Sequence, residues 1–362
     1  MFRIFYILLL ISLLWPFSLR AEESNEARII LETVRSINKA DFCGEIVPLA
    51  SGEIKERLEL EMLLMQGDRA QIILWLKRSG KYFPVISSIL KQEGLPDDLK
   101  YIPVIESALR PHAKSSKGAV GYWQFIQPTA ITFGLTVTDH IDQRNNIYLS
   151  TAAACRYLKF LYEKFGSWTL AAAAYNMGEN GLNKSILNQG DLSFYRLYLP
   201  IETQRYVFRI VAAKLIMESP AKYGIIMKPE DYYKPVPFER TIIKCTSDVP
   251  IKAVADAAGT DYKMIKDLNP EIKGGHIRKG SHEIALPKGS LKNFHKHFAK
   301  ELKNNEPVKG EYYVVEQGDT LYGIAAKFNI PLSSLVEWNK IDPSKHLRVN
   351  ERLLVKPPPV TK

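Results

Sequence analysis

The chain has 362 residues, of which 46% are hydrophobic and 24% charged, and it carries a formal net charge of +10. This length allows two or more domains with separate cores, and this composition excludes a disordered or low-complexity protein. The positive charge suits a polyanionic partner or surface, but the basic residues are scattered, so charge alone does not select nucleic acid.

Residues 1–21 are predicted to form a secretory signal peptide. Arg3 precedes an apolar run that ends near Pro16, and polar residues follow Ala21, which is the usual pattern of such signals. We expect cleavage after Ala21; the alternative is an uncleaved N-terminal membrane anchor, because Leu19 is not the small residue preferred before a cleavage site. No Cys follows the run closely, so we expect no lipid-modified N-terminus. An exported protein belongs in the periplasm or cell envelope, where nucleic acid is not an expected partner.

Three cysteines, Cys43, Cys155 and Cys245, would then lie in an oxidising compartment. Because three is an odd number, at most one disulfide can form within the chain, and the sequence leaves its partners open. Buried cysteines that act as small apolar side chains, with at most one bridge among them, are the simpler expectation. The sequence shows no CxxC and no metal-ligand spacing, so we expect neither a metal nor another cofactor.

Residues 22–94 are predicted to form an N-terminal helical region, and residues 95–228 an all-α domain. Apolar residues recur at helical spacing in three long stretches, which are residues 70–94, 146–166 and 201–219. Strand-like alternation is nearly absent from this part of the chain. The N-terminal region shows no catalytic pattern, and the sequence leaves open whether it regulates or buttresses the domain that follows.

One carboxylate falls on the apolar face of a predicted helix. Leu99, Ile102 and Leu109 are spaced to share that face, and Glu106 lies between the last two. Charge is expensive there, and apolar surroundings raise the pKa of a carboxyl group. Glu106 is therefore a candidate acid that stays protonated near neutral pH; the alternative is a structural partner of a Lys or a helix end. Because Pro103 lies inside this helix, the helix must kink or start later.

The C-terminal part contains two copies of one module, related by a shift of 70 residues without a gap. Asn269 then falls on Asn339, and apolar positions coincide as well, which indicates a repeated unit with matched core positions. Each copy is predicted to fold as strand, helix, helix, strand. The copies occupy residues 239–288 and 311–357, and the Lys-rich segment 289–310 is predicted to be a linker or a surface helix.

Four motifs occur in order along the chain: ES at residues 106–107, SSKGAVGYWQF at 115–125, AYNMG at 174–178 and ETQRYV at 202–207. Together they resemble the goose-lysozyme-like catalytic domain of the membrane-bound lytic transglycosylase D group. The C-terminal copies are similar to LysM modules, which bind glycans that contain N-acetylglucosamine. The resemblance implies a mainly α lysozyme-like catalytic domain followed by two small α/β modules of βααβ order.

The resemblance implies that peptidoglycan glycan strands are the substrate and that Glu106 is the catalytic residue. As an acid, Glu106 would protonate the oxygen of the β-1,4 bond between N-acetylmuramic acid and N-acetylglucosamine. As a base, it would then take the proton of the 6-hydroxyl that attacks the anomeric carbon, leaving a 1,6-anhydro-N-acetylmuramic acid end. The alternatives are a hydrolytic muramidase, which needs a carboxylate to activate water, and a non-catalytic peptidoglycan-binding scaffold.

The resemblance also implies roles for other motif residues. The side chains expected to contact the substrate are Ser107, Gln124, Tyr175, Asn176 and Tyr206. Tyr206 in addition resembles the Tyr that hydrogen-bonds the catalytic Glu. The alternative for Tyr175 and Tyr206 is a structural role in the helical core. Tyr122 and Trp123 occupy positions where the family more often has Leu and Met, which leaves the shape of the sugar subsite open but not the chemistry.

The second module carries the residues typical of a glycan-binding LysM unit. Those that match are Gly318, Asp319, Thr320 and Asn339. They are expected to bind glycan, although a Gly-Asp turn before a Thr helix cap is also a structural pattern. In the first module, residues 248–250 read DVP in place of GDT, which leaves its glycan binding open, with a spacer role as the alternative. The oligomeric state is also left open.

Overall fold

The computed structural model describes residues 28–304, 311–342 and 347–356. Buried apolar side chains in this part of the chain form three clusters, which span Val34–Ile225, Ile243–Phe298 and Val315–Val355. The protein is therefore a mainly α domain followed by two small α/β modules, as predicted. The predicted signal peptide lies outside the described residues. Among those residues, none of the helices combines the length and the apolar character needed to span a bilayer.

Helices build the first domain. Residues 28–35 are helical, and a short hairpin of β1 (Asp41–Phe42) and β2 (Glu45–Ile46) follows. The later helices are α1 (Gly52–Gln66), α2 (Arg69–Gln92), α3 (Ile102–Ser107), α4 (Gln127–Thr132), α5 (Ile147–Phe165), α6 (Trp168–Met177), α7 (Glu179–Gln189) and α8 (Ile201–Glu218). Shorter 3-10 turns lie at Asp97–Tyr101, Gln143–Asn145, Pro220–Tyr223 and Pro229–Asp231. Helix α6 is central, because its run of four alanines is wholly buried.

The N-terminal helical region shares its core with the predicted catalytic domain. Met62 of α1 and Ile86 of α2 have no exposed surface and belong to the same apolar cluster as helix α8. The Lys214 ammonium of α8 also donates to the carboxylates of Asp41 and Asp98, each at 2.8 Å. These contacts make the region a buttress of the domain, since its helices and α8 bury one another's apolar faces.

Helix α3 begins later and ends earlier than the apolar spacing predicted. A 3-10 turn precedes it, and Pro103 lies in its first turn, where a missing N–H group costs little. The helix ends after six residues because Ala108 and Leu109 have left-handed backbone angles, with φ of 53° and 57°. The prediction that Leu109 shares the helix face is therefore wrong: Leu109 is buried, but beyond the end of the helix.

The first module contains β3 (Phe238–Cys245), β4 (Val249–Pro250), α9 (Ile251–Ala258), α10 (Tyr262–Leu268), β5 (His276–Ile277), β6 (Gly280–Pro287) and α11 (Leu291–Asn304). Strand β3 pairs antiparallel with β6, and β4 with β5. Residues 291–304 form a helix, which was the alternative to a linker. Phe294 and Phe298 of α11 are buried in the module core, so this helix is part of the module.

The second module contains β7 (Glu311–Val314), α12 (Leu321–Lys327), α13 (Leu332–Asn339) and β8 (Arg352–Lys356), with β7 antiparallel to β8. The predicted order of strand, helix, helix, strand is confirmed. The repeated asparagines form the same set of backbone hydrogen bonds in both copies. Asn269 bonds the backbone of Ile265 and Ala285 through three hydrogen bonds of 2.7–2.8 Å. Asn339 does the same to Leu335 and Leu354, so each Asn joins a helix end to a strand.

The cysteines form no disulfide. Cys43, Cys155 and Cys245 are all free thiols. Cys155 lies in the core of the first domain and Cys245 in the core of the first module, so these two act as small apolar side chains, as the simpler expectation had it.

Candidate functional site

Glu106 lies near the end of helix α3, in contact with helix α8. The Tyr206 hydroxyl donates a hydrogen bond of 2.6 Å to Oε1 of Glu106. Tyr206 is buried, whereas Glu106 keeps part of its surface accessible to solvent. The hydrogen bond that the family resemblance implied is thus present, and it fixes one carboxylate oxygen while the side chain remains open to a ligand.

Burial controls the protonation of Glu106. It raises the pKa of this carboxyl from 4.5 to about 7, and the Tyr206 hydrogen bond and the Arg209 charge oppose that rise while the Glu202 charge adds to it. The group is therefore divided between acid and carboxylate near neutral pH, as an acid that later serves as a base requires. Burial, followed by the neighbouring Glu106, raises the pKa of Tyr206 well above its usual value, so this hydroxyl stays a donor.

The Ser107 hydroxyl bonds to backbone groups of the protein and does not face a ligand. Its side chain is 2% exposed, and its hydroxyl lies 3.0 Å from the carbonyl oxygen of Pro103 and 2.8 Å from that of Tyr122. The hydroxyl therefore ties helix α3 to the loop of residues 115–125. This position contradicts the expectation that Ser107 contacts the substrate, because no polar atom of its side chain faces outward.

Tyr122 and Trp123 are also buried, with 3% and 0% of their surface exposed. The Trp123 indole donates to the Thr151 hydroxyl at 2.9 Å, and the Tyr122 ring meets the Tyr82 ring edge-on at 5.0 Å. Both side chains therefore pack into the protein behind the loop, and the shape of the sugar subsite stays open.

Gln124 has one free side-chain atom. Its backbone is left-handed, with φ of 50°, and its amide nitrogen donates to the carbonyl oxygens of Ala113 and Gly121 at 3.0 and 2.8 Å. Its Oε1 accepts no hydrogen bond from the described part of the chain. Gln124 thus keeps an acceptor suited to a sugar hydroxyl or acetamido N–H, while its donors shape the loop.

Helix α6 brings Tyr175 and Asn176 to the same region. The Tyr175 hydroxyl donates to the carbonyl oxygen of Trp123 at 2.7 Å, so it supports the loop. It also lies close enough to Glu106 for the two groups to interact electrostatically. Asn176 Oδ1 accepts a 2.8 Å hydrogen bond from Thr203. Its amide nitrogen donates no hydrogen bond to another group within residues 28–304. The structure thus leaves Asn176 a donor for a ligand, whereas the Tyr175 hydroxyl is already used.

Arg144 is a buried residue whose role in the site was not predicted from the sequence. Its guanidinium binds both oxygens of Asp142, at 2.8 and 2.7 Å, and also reaches the carbonyl oxygens of Gly118 and Phe125 at 3.3 and 3.1 Å. The loop also requires Gly121: its φ is 84°, and a Cβ atom there would lie 1.9 Å from the Arg144 carbonyl oxygen. Two charged residues two positions apart are too common a pattern to have marked this role.

Glu45 is a second residue that the sequence did not mark. Its carboxylate accepts from the backbone N–H groups of Trp168 and Thr169 and from the Ser167 hydroxyl. It therefore caps the N-terminus of helix α6, where a negative charge is favoured. This cap positions the helix that carries Tyr175 and Asn176.

In the second module, the matched LysM residues hold the turn in shape. Asp319 accepts from the Tyr313 hydroxyl and the Glu316 backbone N–H, both at 2.8 Å. Thr320 caps helix α12 through the N–H of Gly323, and Gly318 has φ of 94°. Together with the Asn339 bonds described above, these contacts use Asp319 Oδ2 and the side-chain amide of Asn339 internally. Thr320 remains exposed and Asp319 half-buried, and glycan binding by Gly318, Asp319, Thr320 and Asn339 stays a prediction.

No cluster of three or more His, Cys, Asp or Glu side chains in the described segments could hold a metal ion. The site around Glu106 offers four protein groups. They are a carboxyl of raised pKa, a hydroxyl that orients it, an amide acceptor and an amide donor.

Family comparisons match three parts of the chain. Residues 84–197 match the Transglycosylase SLT domain, residues 241–301 the LysM-like domain of lytic transglycosylase MltD, and residues 313–356 the LysM domain. The second of these matches includes most of helix α11, in agreement with its packing on the first module.

The chain is also similar to curated proteins of known name. The chain is 30% identical over 283 residues to Membrane-bound lytic murein transglycosylase D of Escherichia coli K12, covering 74% of this chain and 62% of that protein. It is 40% identical over 102 residues to Peptidoglycan transglycosylase gp16 of Escherichia phage T7, covering 27% of this chain and 8% of that protein. The solved 70 kDa soluble lytic transglycosylase of Escherichia coli aligns with a TM-score of 0.34 and 21% identity, over 42% of this chain and 27% of that chain.

Proposed function

We propose that this chain, which combines a transglycosylase SLT domain with two LysM-type modules, is a peptidoglycan lytic transglycosylase. It cleaves the β-1,4 bond between N-acetylmuramic acid and N-acetylglucosamine and leaves 1,6-anhydro-N-acetylmuramic acid ends. The observation that carries this proposal is Glu106, a carboxyl with a pKa raised to about 7 and held by the Tyr206 hydroxyl.

In the first step, protonated Glu106 donates its proton to the glycosidic oxygen as the bond to the anomeric carbon breaks. The resulting carboxylate then accepts the proton of the 6-hydroxyl, whose oxygen forms the new bond to that carbon. One carboxyl group returns to its starting state, and no water is consumed. Tyr206 keeps the carboxyl oriented through both steps, while the Gln124 oxygen and the Asn176 amide nitrogen are the groups placed to bind sugar.

The two LysM-type modules suit an enzyme that works on an insoluble polymer. A tethered glycan-binding module raises the local concentration of the catalytic domain without high affinity of its own. We assign the protein to the periplasmic side of the cell envelope, exported through residues 1–21, because that is where peptidoglycan lies. Membrane attachment would arise only if that segment were retained.

The proposal is tested by digesting purified peptidoglycan and weighing the soluble fragments. The wild-type chain should release anhydro-ended fragments, which lack one water relative to reducing ends. Glu106→Gln should lower the rate by at least about 10³-fold, because one group serves as both acid and base. Peptidoglycan binding should be unchanged. A wild-type chain that binds peptidoglycan but releases nothing would identify a scaffold instead.

The competing hypothesis is a hydrolytic muramidase, in which Glu202 would be the carboxylate that activates water. This carboxylate acts on Glu106 electrostatically, but it is exposed and lies 3.6 Å from the Lys117 ammonium. Glu202→Gln should therefore change the rate less than about threefold, as expected for an exposed ion pair. Reducing ends, together with a large loss of rate in this variant, would establish hydrolysis.

A further inference from the structure

The first module docks on the catalytic domain through paired backbone. The Lys273 N–H donates to the carbonyl oxygen of His140 at 2.8 Å, and the Asp142 N–H donates to that of Glu271 at 2.7 Å. These two bonds make an antiparallel bridge between Ile141 and Ile272. A segment of the catalytic domain thus pairs, as a short strand would, with the loop that follows helix α10.

Side chains extend this contact on both sides of the bridge. Ile141 packs against the apolar core of the first module. The Tyr148 ring of helix α5 meets the Phe238 ring of β3 at 5.6 Å, and the Arg240 guanidinium lies 4.9 Å above the same Tyr148 ring. The module is therefore held by apolar, aromatic and backbone contacts together, which fix its orientation.

The docked segment leads directly to the loop beside Glu106. Asp142, whose backbone pairs with the module, forms a buried ion pair with Arg144. The exposed fraction is 9% for the Asp142 side chain and 8% for that of Arg144. Arg144 in turn binds the carbonyl oxygens of Gly118, within the loop, and of Phe125, at its C-terminal end. The loop carries Gln124 and binds the Ser107 hydroxyl next to Glu106. Each contact in this series is direct, from module to segment, from segment to loop, and from loop to α3.

The first module also lacks the turn sequence that the second module has. Its 248–250 turn has lost the GDT sequence, and the Asp248 carboxylate accepts from the Arg278 side chain and the Lys279 backbone. The loop after α10 is occupied by the catalytic domain. This arrangement suits a module whose partner is its own chain.

We propose that the first LysM-like module is a docking unit that holds the loop of residues 115–125 in its working conformation, through Asp142 and the positioning residue Arg144. The proposal rests on the proposed function for what the loop does, but the docking itself does not depend on it. Glycan capture is then left to the second module.

The first test weakens docking at Ile141, which lies in a turn outside the helices. Ile141→Ser in the full chain should speed amide hydrogen exchange within residues 115–125 and lower kcat roughly 10–100-fold, since a small misplacement of binding groups has this effect. Peptidoglycan binding should stay within about twofold of wild type, in keeping with a role that touches no glycan. Ile226→Ser is the matched control, because that side chain is 84% exposed and should change none of these quantities.

A second variant tests Arg144 itself. Arg144→Lys keeps the charge but loses the planar fork that reaches Asp142 and two carbonyl oxygens at once. It should lower kcat and loosen the same loop amides, while the pH dependence of the remaining activity stays that of Glu106, which Arg144 does not contact. Arg156→Lys, at an exposed guanidinium bound to the Phe133 carbonyl, is the control.

The outcomes separate the two hypotheses. If Ile141→Ser weakens peptidoglycan binding while turnover of bound enzyme and loop exchange stay normal, the module is a glycan tether and the docking role is wrong. If the loop loosens in Ile141→Ser but the wild type releases no fragments, docking stands and the proposed enzymatic function fails. Hydrogen exchange can also be compared with and without Ile141→Ser in the Glu106→Gln variant. This comparison tests docking without requiring enzymatic activity.

Discussion

At the scale of single residues, two opposing effects set the proton affinity of Glu106. Burial raises the pKa of the carboxyl to about 7, and the Tyr206 hydrogen bond lowers it. The acid form is required for the first step, so we expect kcat/KM to fall as pH rises through about 7. The measurement is the rate of fragment release against pH.

Tyr206→Phe removes the hydroxyl but keeps the buried ring. Since the lost hydrogen bond favoured the carboxylate, the pKa of Glu106 should rise further, and the falling limb of the pH–rate profile should move to higher pH. The loss of orientation should lower kcat by roughly 10–100-fold. An unmoved limb would mean that the hydroxyl does not control this proton. Tyr198→Phe, at an 84% exposed ring, is the control.

At the scale of elements, one capping residue positions a whole helix. Glu45 accepts hydrogen bonds from the first turn of α6, and this helix carries Asn176 toward the site. Glu45→Ala should lower the free energy of unfolding by about 1–2 kcal/mol, the usual cost of a lost cap, and should reduce kcat. Denaturant unfolding measures the first effect. Glu59→Ala on helix α1 provides a control at another helix, and an equal loss of stability there would contradict the capping role.

At the scale of the whole molecule, the docking interface contains a buried acid. Glu271 is 9% exposed, and its Oε2 accepts no hydrogen bond among the described residues. Burial raises its pKa most, Glu283 adds to that rise, and the Asn146 side chain and Arg240 oppose it; Lys266 and Tyr122 also act on it electrostatically. Because the folded, docked state binds this proton more tightly, its stabilisation by Glu271 is present at low pH and lost as pH rises through the raised pKa.

Glu271→Gln should therefore remove that pH dependence and stabilise the chain at neutral pH by about 1–2 kcal/mol, since a buried charge short of partners is replaced by a neutral amide. Thermal unfolding between acidic and neutral pH tests this sign. Glu316→Gln, at an exposed position in the second module, should leave the curve unchanged. A variant less stable than wild type at every pH would show that the carboxylate is required.

Some of this molecule follows from local sequence rules. The 3.6-residue apolar period predicted the long helices, and the repeat predicted two related modules. Both predictions are confirmed, because a helical period depends on neighbouring residues and a repeat shows itself in matched core positions. An acid on an apolar helix face marked Glu106, whose catalytic role stays a prediction. The C-terminal end of α3 was not predicted, because apolar spacing does not reveal the left-handed backbone at Ala108 and Leu109.

Tertiary structure alone decided which polar atoms remain free for a ligand. Ser107 and Tyr175 belong to motifs, yet contacts with Tyr122 and Trp123 use up their hydroxyls. Glu45 and Trp168 bond across 123 residues, and Arg144 joins a loop to a segment that docks a separate module. No local pattern encodes such pairings, because the free energy of a long-range hydrogen bond depends on how the intervening helices pack and exclude water.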